Sequence, residues 1–225
     1  MKMKRPIRLS FIMLILALEI MSHLGWAQES TPNSSPFSLT IKEKEYLLTL
    51  ARTTIKAFLE KRTVENLDKR FLDQHPVFRI PRGVFVTLKK REQLRGCIGE
   101  LFPQRPLYEG VQNCALKSAT QDNRFPPVTR KELEDLTLSI SILSFPTRIK
   151  TENASSLLTA LTPGKDGVIL VYNGRQSTFL PKVWEDIPKP DDFLSHLCQK
   201  QGSPADCWQK KETVSYRYGT YDFSE

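Results

Sequence analysis

The run Arg95-Gly96-Cys97-Ile98-Gly99-Glu100 is where this chain could do chemistry. A thiol sits between two glycines, with a cation two positions before it and a carboxylate three after. A nucleophilic cysteine needs a lowered pKa, supplied by a neighbouring cation, a helix N-terminus or a histidine. Arg95 is a candidate for the cation, able to orient an anionic or carbonyl substrate. Backbone N–H groups around Gly96 and Gly99 are candidates to hold a developing negative charge. Glu100 closes the run. The opposing reading is a small apolar filler, which is how free cysteine is commonly used. The run follows the β-rich segment Gly83–Lys90 and is expected to be a sharp turn at a strand end. Its glycine spacing fits neither a phosphate-binding loop nor a dinucleotide fingerprint.

A second polar cluster, Asp122-Asn123-Arg124-Phe125-Pro126-Pro127, follows an apparent helix end. It reads either as a helix terminator with a local Asp122–Arg124 contact or as a polar edge facing the glycine segment. His75 and His196 have no partners nearby in sequence, so both are taken as structural. Together these residues leave three functions open: a thiol enzyme, a binding module, and, weakly, a nucleic-acid binder.

The elements that would position these groups are legible in part. Thr40 and Glu43 form a capping box ahead of an amphipathic helix running to about Lys61. Leu107, Val111, Cys114, Ala115, Ser118 and Ala119 share one face of a second helix. Leu136–Leu143 alternates as a strand, and Asn173-Gly174 joins two strands as a hairpin. A last helix carries Phe193, Leu197 and Cys198, and the tail Tyr216–Phe223 reads as one final strand. Strands and helices mix without βαβ alternation, so the expected class is α+β, with a mixed or antiparallel sheet and packed helices.

Lys2, Lys4, Arg5 and Arg8, then the apolar run Leu9–Leu18, then Gly25-Trp26-Ala27 predict a signal peptide at 1–27. A polar Pro/Ser-rich tether is expected at 28–39, and one domain at 40–225. The predicted location is therefore secreted or periplasmic, with no stable membrane span once the leader is removed. The formal charge of +8 comes from 33 Lys and Arg against 25 Asp and Glu, scattered rather than run together, which argues against a nucleic-acid stripe. No paired spacing marks a metal site, and no cofactor is called for. Cys198 and Cys207 are nine apart across a helix stop; a bridge and simple packing both account for them, while Cys97 is expected to stay a free thiol.

Taken in order, several segments resemble the AMMECR-type domain family. They are L-R-G-C-I-G at 94–99, D-N-R-F-P-P-V at 122–128, E-L at 132–133, S-I-S-I-L-S at 139–144, T-P-G-K-D-G-V-I-L at 162–170, T-F-L-P-K-V-W at 178–184 and F-L-S-H-L-C-Q-K-Q-G at 193–202. The resemblance runs from about residue 41 to the end. It implies an α+β domain of two packed lobes with the Arg95–Glu100 segment lining a cleft. It places Arg95, Gly96, Cys97, Ile98 and Gly99 on the family's signature; many members carry a small or hydroxyl residue where this chain has Glu100. It further implies partners of the AmmeMemoRadiSam kind, a Memo-type protein and a radical SAM protein. A small anionic ligand at Arg95, Gly96, Gly99, Glu100, Asp122 and Arg124 is the ligand-binding expectation.

Overall fold

The structure, a computed structural model, describes residues 37–62 and 69–225. The leader expected at 1–27, and the expected tether up to residue 36, lie outside the described residues. Ser38–Glu225 folds as one unit.

Helix α1, Ile41–Leu59, begins as its sequence requires: the Thr40 hydroxyl accepts the Glu43 N–H at 3.3 Å, and the Glu43 carboxylate accepts the Thr40 N–H at 2.7 Å. It buries Leu47, Leu50, Ala51 and Ile55. A short helix α2, Lys69–Gln74, precedes helix α3, Leu107–Thr120. The small residues of α3 (Ala115, Ser118, Ala119) are buried, which lets its backbone come close to the sheet.

That sheet is antiparallel, in the order β2 (Gln93–Glu100), β1 (Val84–Lys90), β3 (Leu136–Leu143), β8 (Thr220–Ser224). Val84, Val86 and Leu88 lie opposite Ile142, Ile140 and Leu138 on the face covered by α1 and α3. Each such side chain contributes roughly 1.5–3 kcal/mol on leaving water.

The second lobe is also a four-stranded antiparallel sheet, β4 (Thr147–Arg148), β7 (Val214–Tyr218), β5 (Gly167–Tyr172), β6 (Arg175–Phe179). Helices α4 (Ala154–Ala160) and α5 (Pro190–Lys200) cover one face. Val168, Leu170, Leu194 and Leu197 fill its core, and Trp184 stacks on Phe193 at 3.7 Å between ring centres. Cys198 and Cys207 are joined by a disulfide, with Cα atoms 5.8 Å apart. A loop that short stabilises by about 2–3 kcal/mol on chain-entropy grounds. Cys97 and Cys114 are free.

Two expectations are corrected here. Arg95–Glu100 is not a turn but the body of β2, paired along β1 with Cys97 opposite Thr87 and Gly99 opposite Phe85. The turn lies earlier, at Arg91 and Glu92, whose φ values of 50° and 63° are those of a tight two-residue hairpin. Neither residue is a glycine, so the usual signal for that turn is missing. The tail is two strands rather than one: β7 belongs to the second sheet and β8 to the first, with Gly219 between them.

Candidate functional site

Strand β2 is an edge of the first sheet, and an edge strand exposes unpaired N–H and C=O groups. In this protein side chains from the second polar cluster occupy that edge. The Cys97 N–H donates to Asp122 Oδ2 at 2.8 Å, and an Arg124 guanidinium N–H donates to the Cys97 carbonyl at 3.3 Å. Arg124 also donates to Asp122 through Nε at 2.9 Å and Nη2 at 2.7 Å. Asp122 and Arg124 thus stand where a neighbouring strand would, and both readings of the cluster are realised: a local contact that also faces Cys97. Asp122 is buried, and its pairing with Arg124 together with the Cys97 N–H holds its carboxyl well below the usual range, against the opposing effect of burial. On the other side of the strand, the Ser118 hydroxyl accepts the Ile98 N–H at 2.8 Å and donates to the Val86 carbonyl at 2.7 Å, tying α3 to both strands.

The glycines serve close approach. A Cβ on Gly96 would lie 2.2 Å from the Ser118 carbonyl oxygen, and one on Gly99 would lie 2.2 Å from the Phe85 ring.

The remaining charges of the motif are also engaged. Arg95, with its side chain only 11% exposed, pairs with Glu132 through Nε at 3.2 Å and Nη2 at 3.3 Å. Glu132 also accepts from the Thr129 N–H at 3.0 Å and from Lys90 at 3.4 Å. Its carboxyl is pulled down to about 2, chiefly by Arg95. Glu100 accepts from Asn113 and from Arg105 Nε, the latter at 3.1 Å.

The Glu132 pairing has a testable consequence. A folded-state pKa below the unfolded value gives stability that is present above the unfolded value and lost as pH falls through the folded one. Glu132→Gln is therefore expected to melt below the wild type at pH 7, and the gap is expected to close between about pH 4.5 and pH 2. Melting curves across that range check it; a gap that persists unchanged at pH 2 contradicts the pairing.

Cys97 is left half-buried, its sulfur accepting from the Thr87 hydroxyl at 3.2 Å. No histidine or carboxylate among the described residues hydrogen-bonds that sulfur. His75 pairs with Glu43 at 2.9 Å, and His196 bonds the Asp192 carbonyl at 2.8 Å. Strand alternation puts Cys97 and Gly99 on the face away from α3, with Phe85 and Thr87 of β1 and Ser139 and Ser141 of β3. The register sets the Cys97 thiol, the Thr87 hydroxyl and the Ser139 hydroxyl in one row. Among the described residues no helix covers this hydroxyl-lined face, and at one end Phe85 packs where Leu143 meets Ile169 and Tyr218 of the second lobe. Cys114, by contrast, is in the core, and burial pushes its thiol up to about 12.

The structure thus brings all seven candidate residues onto or beside β2. Sequence reading missed Glu132, Ser118, Thr87, Ser139 and Ser141. The signals were faint: Ser118 belonged to the small-residue helix face, and Thr87 held an alternate position of a strand.

Comparison with known proteins follows the same span. The family described as AMMECR1 matches residues 48–223. A protein of Methanothermobacter thermautotrophicus is 37% identical over 193 residues, covering 83% of this chain and 96% of that one. One from Methanopyrus kandleri is 35% identical over 197 residues, covering 83% and 90%. The crystal structure of an uncharacterized protein from Pyrococcus horikoshii superposes with a TM-score of 0.75 at 32% identity, covering 84% of this chain and 94% of that one.

Proposed function

This chain belongs to the AMMECR1 family, and from that premise we propose that it is an exported binding or accessory component of an AmmeMemoRadiSam-like system. The working surface is the open face around Cys97, and its partners are a Memo-type protein and a radical SAM protein. One observation carries the reading. Arg95, Glu100, Asp122 and Arg124 are each paired within the protein, while the Cys97 row of thiol and hydroxyls is half-buried, with no histidine or carboxylate among the described residues bonded to the sulfur. A surface that is firmly held and chemically quiet suits docking better than turnover. Export is supported by the leader-like start of the sequence and by the Cys198–Cys207 bridge, a bond that persists in oxidising compartments. A mature N-terminus at Gln28, found outside the cytoplasm, is the expected outcome of sequencing the protein from its host.

The second reading, Cys97 as a nucleophile or redox-active thiol, rests on the Thr87 hydroxyl, which donates to the sulfur at 3.2 Å.

Two variants separate the readings, each mixed with the Memo-type and radical SAM proteins of the same host and followed by size-exclusion chromatography. Cys97→Trp is expected to abolish co-elution by filling the face, and Cys97→Ser to preserve it. Unchanged co-elution by Cys97→Trp, or no complex with the wild type, contradicts docking. Loss of a measured turnover in a still-binding Cys97→Ser supports the thiol enzyme.

A further inference from the structure

The second lobe holds a cavity of about 510 Å³ that none of the motif residues touches. Four cations line it, Arg148, Lys150, Lys210 and Lys211, against a single carboxylate, Glu152. Lys210 is paired with Asp206 at 2.6 Å. Arg148, Lys150 and Lys211 make no ion pair among the described residues. Three such cations around one cavity concentrate anions there.

The cavity is not polar throughout. Leu157 and Trp208 are buried in its wall, with Ile149 and Val214 half-buried beside them. The indole is held in place: its N–H donates to the Ser195 hydroxyl at 3.1 Å, and the preceding residue is Cys207, bonded to α5 through Cys198. The neighbouring polar groups are engaged elsewhere. Asn153 caps α4, and the Thr213 hydroxyl donates to the Cys207 carbonyl. What the cavity offers a ligand is therefore positive charge over a fixed aromatic and aliphatic wall.

We propose that this cavity is a second binding site, for a small organic anion: a carboxylate or phosphate carried on a flat apolar body. The cations hold the charged end, and the wall at Trp208 and Leu157 covers the apolar end. Both parts are needed. Charge alone in an open cavity is screened by salt, and the apolar wall alone is small. The site is independent of the reading at Cys97, since it lies in the other lobe and shares no residue with it.

Isothermal titration of the full chain with 1-naphthoate tests this directly. Saturable one-to-one binding is expected, weakening as salt is raised. The neutral 1-naphthalenemethanol and inorganic phosphate are each expected to bind at least roughly tenfold more weakly than naphthoate. The double variant Arg148→Ala/Lys211→Ala, altered only at exposed side chains, is expected to keep its melting temperature and lose at least roughly tenfold in naphthoate affinity. Absence of saturable binding, equal affinity for the neutral alcohol, equal affinity for phosphate, or an unchanged double variant each overturns the proposal.

Discussion

Valine at Gly96 is expected to cost more than about 4 kcal/mol, enough to unfold a domain of ordinary stability. The first added carbon would lie 2.2 Å from the Ser118 carbonyl oxygen, an atom of the α3 backbone. That backbone cannot retreat cheaply, because Leu107, Val111, Cys114 and Ala115 press the helix onto the sheet with no exposed surface. Retreat would also break the Ser118 bridge between β1 and β2. Alanine already carries the offending atom, so Gly96→Ala is expected to cost most of the same amount. Gly99→Ala offers a contrast. The three atoms nearest its added carbon all belong to the Phe85 ring, a half-buried side chain rather than backbone, and a smaller loss of about 1–3 kcal/mol is expected. Urea unfolding of the three variants checks the order; a Gly96→Ala protein within about 0.5 kcal/mol of wild type contradicts the close packing.

The second large effect concerns Asp122. Asp122→Asn removes the charge that pairs with Arg124 and weakens the acceptor of the Cys97 N–H. Breaking one side of a buried pair costs about 3–5 kcal/mol. Arg124 is 56% exposed on its side chain, so water supports it when the partner is lost, and a cost of about 2–3 kcal/mol is expected. Arg124→Ala is expected to cost at least as much, because it leaves the buried Asp122 carboxylate with only the backbone N–H donors of Cys97 and residue 124. The pH dependence follows from the sign of the shift. The folded carboxyl is held below its ordinary value, so its contribution is complete above about pH 4–5 and is lost as pH falls further. The gap between wild type and Asp122→Asn is thus expected to be flat from pH 5 to 8 and to narrow below about pH 4. A variant as stable as wild type at pH 7, or a gap that widens in acid, contradicts the clamp.

These two positions also show where sequence is informative. Local rules were legible: the Thr40–Glu43 box, the Asn173-Gly174 hairpin, and the alternation of Leu136–Leu143 each depend on residues a few places apart. The family resemblance joined these pieces into two lobes. What sequence does not show is contact at a distance. Gly96 looks like a turn residue because glycine usually marks turns; its reason for being glycine is a carbonyl 22 positions later, on another element. The true turn at Arg91-Glu92 carries no glycine and stays hidden. Glu132 was visible only as part of a matching segment, since its role depends on Arg95, 37 residues before it. Likewise Asp122 and Arg124 could be placed near the motif but not assigned to its edge, because nothing in sequence marks β2 as the outermost strand. The tail reads as one strand because aromatic residues continue past Gly219; their alternation shifts by one there, from Tyr216 and Tyr218 to Tyr221 and Phe223, as the chain changes sheets.

The central claim is that the motif's charges hold β2 in place and that the Cys97 face they support is the docking surface. Cys97 is the most direct reporter. Cys198 and Cys207 are bonded to each other, Cys114 is buried, and the sequence contains no other cysteine. Iodoacetamide labelling of the native, unreduced protein therefore reads the Cys97 thiol. Measured with and without the Memo-type and radical SAM proteins of the same host, the labelling rate at Cys97 is expected to fall at least roughly tenfold when the partner binds. A complex that forms while Cys97 labels at its free rate would contradict the account.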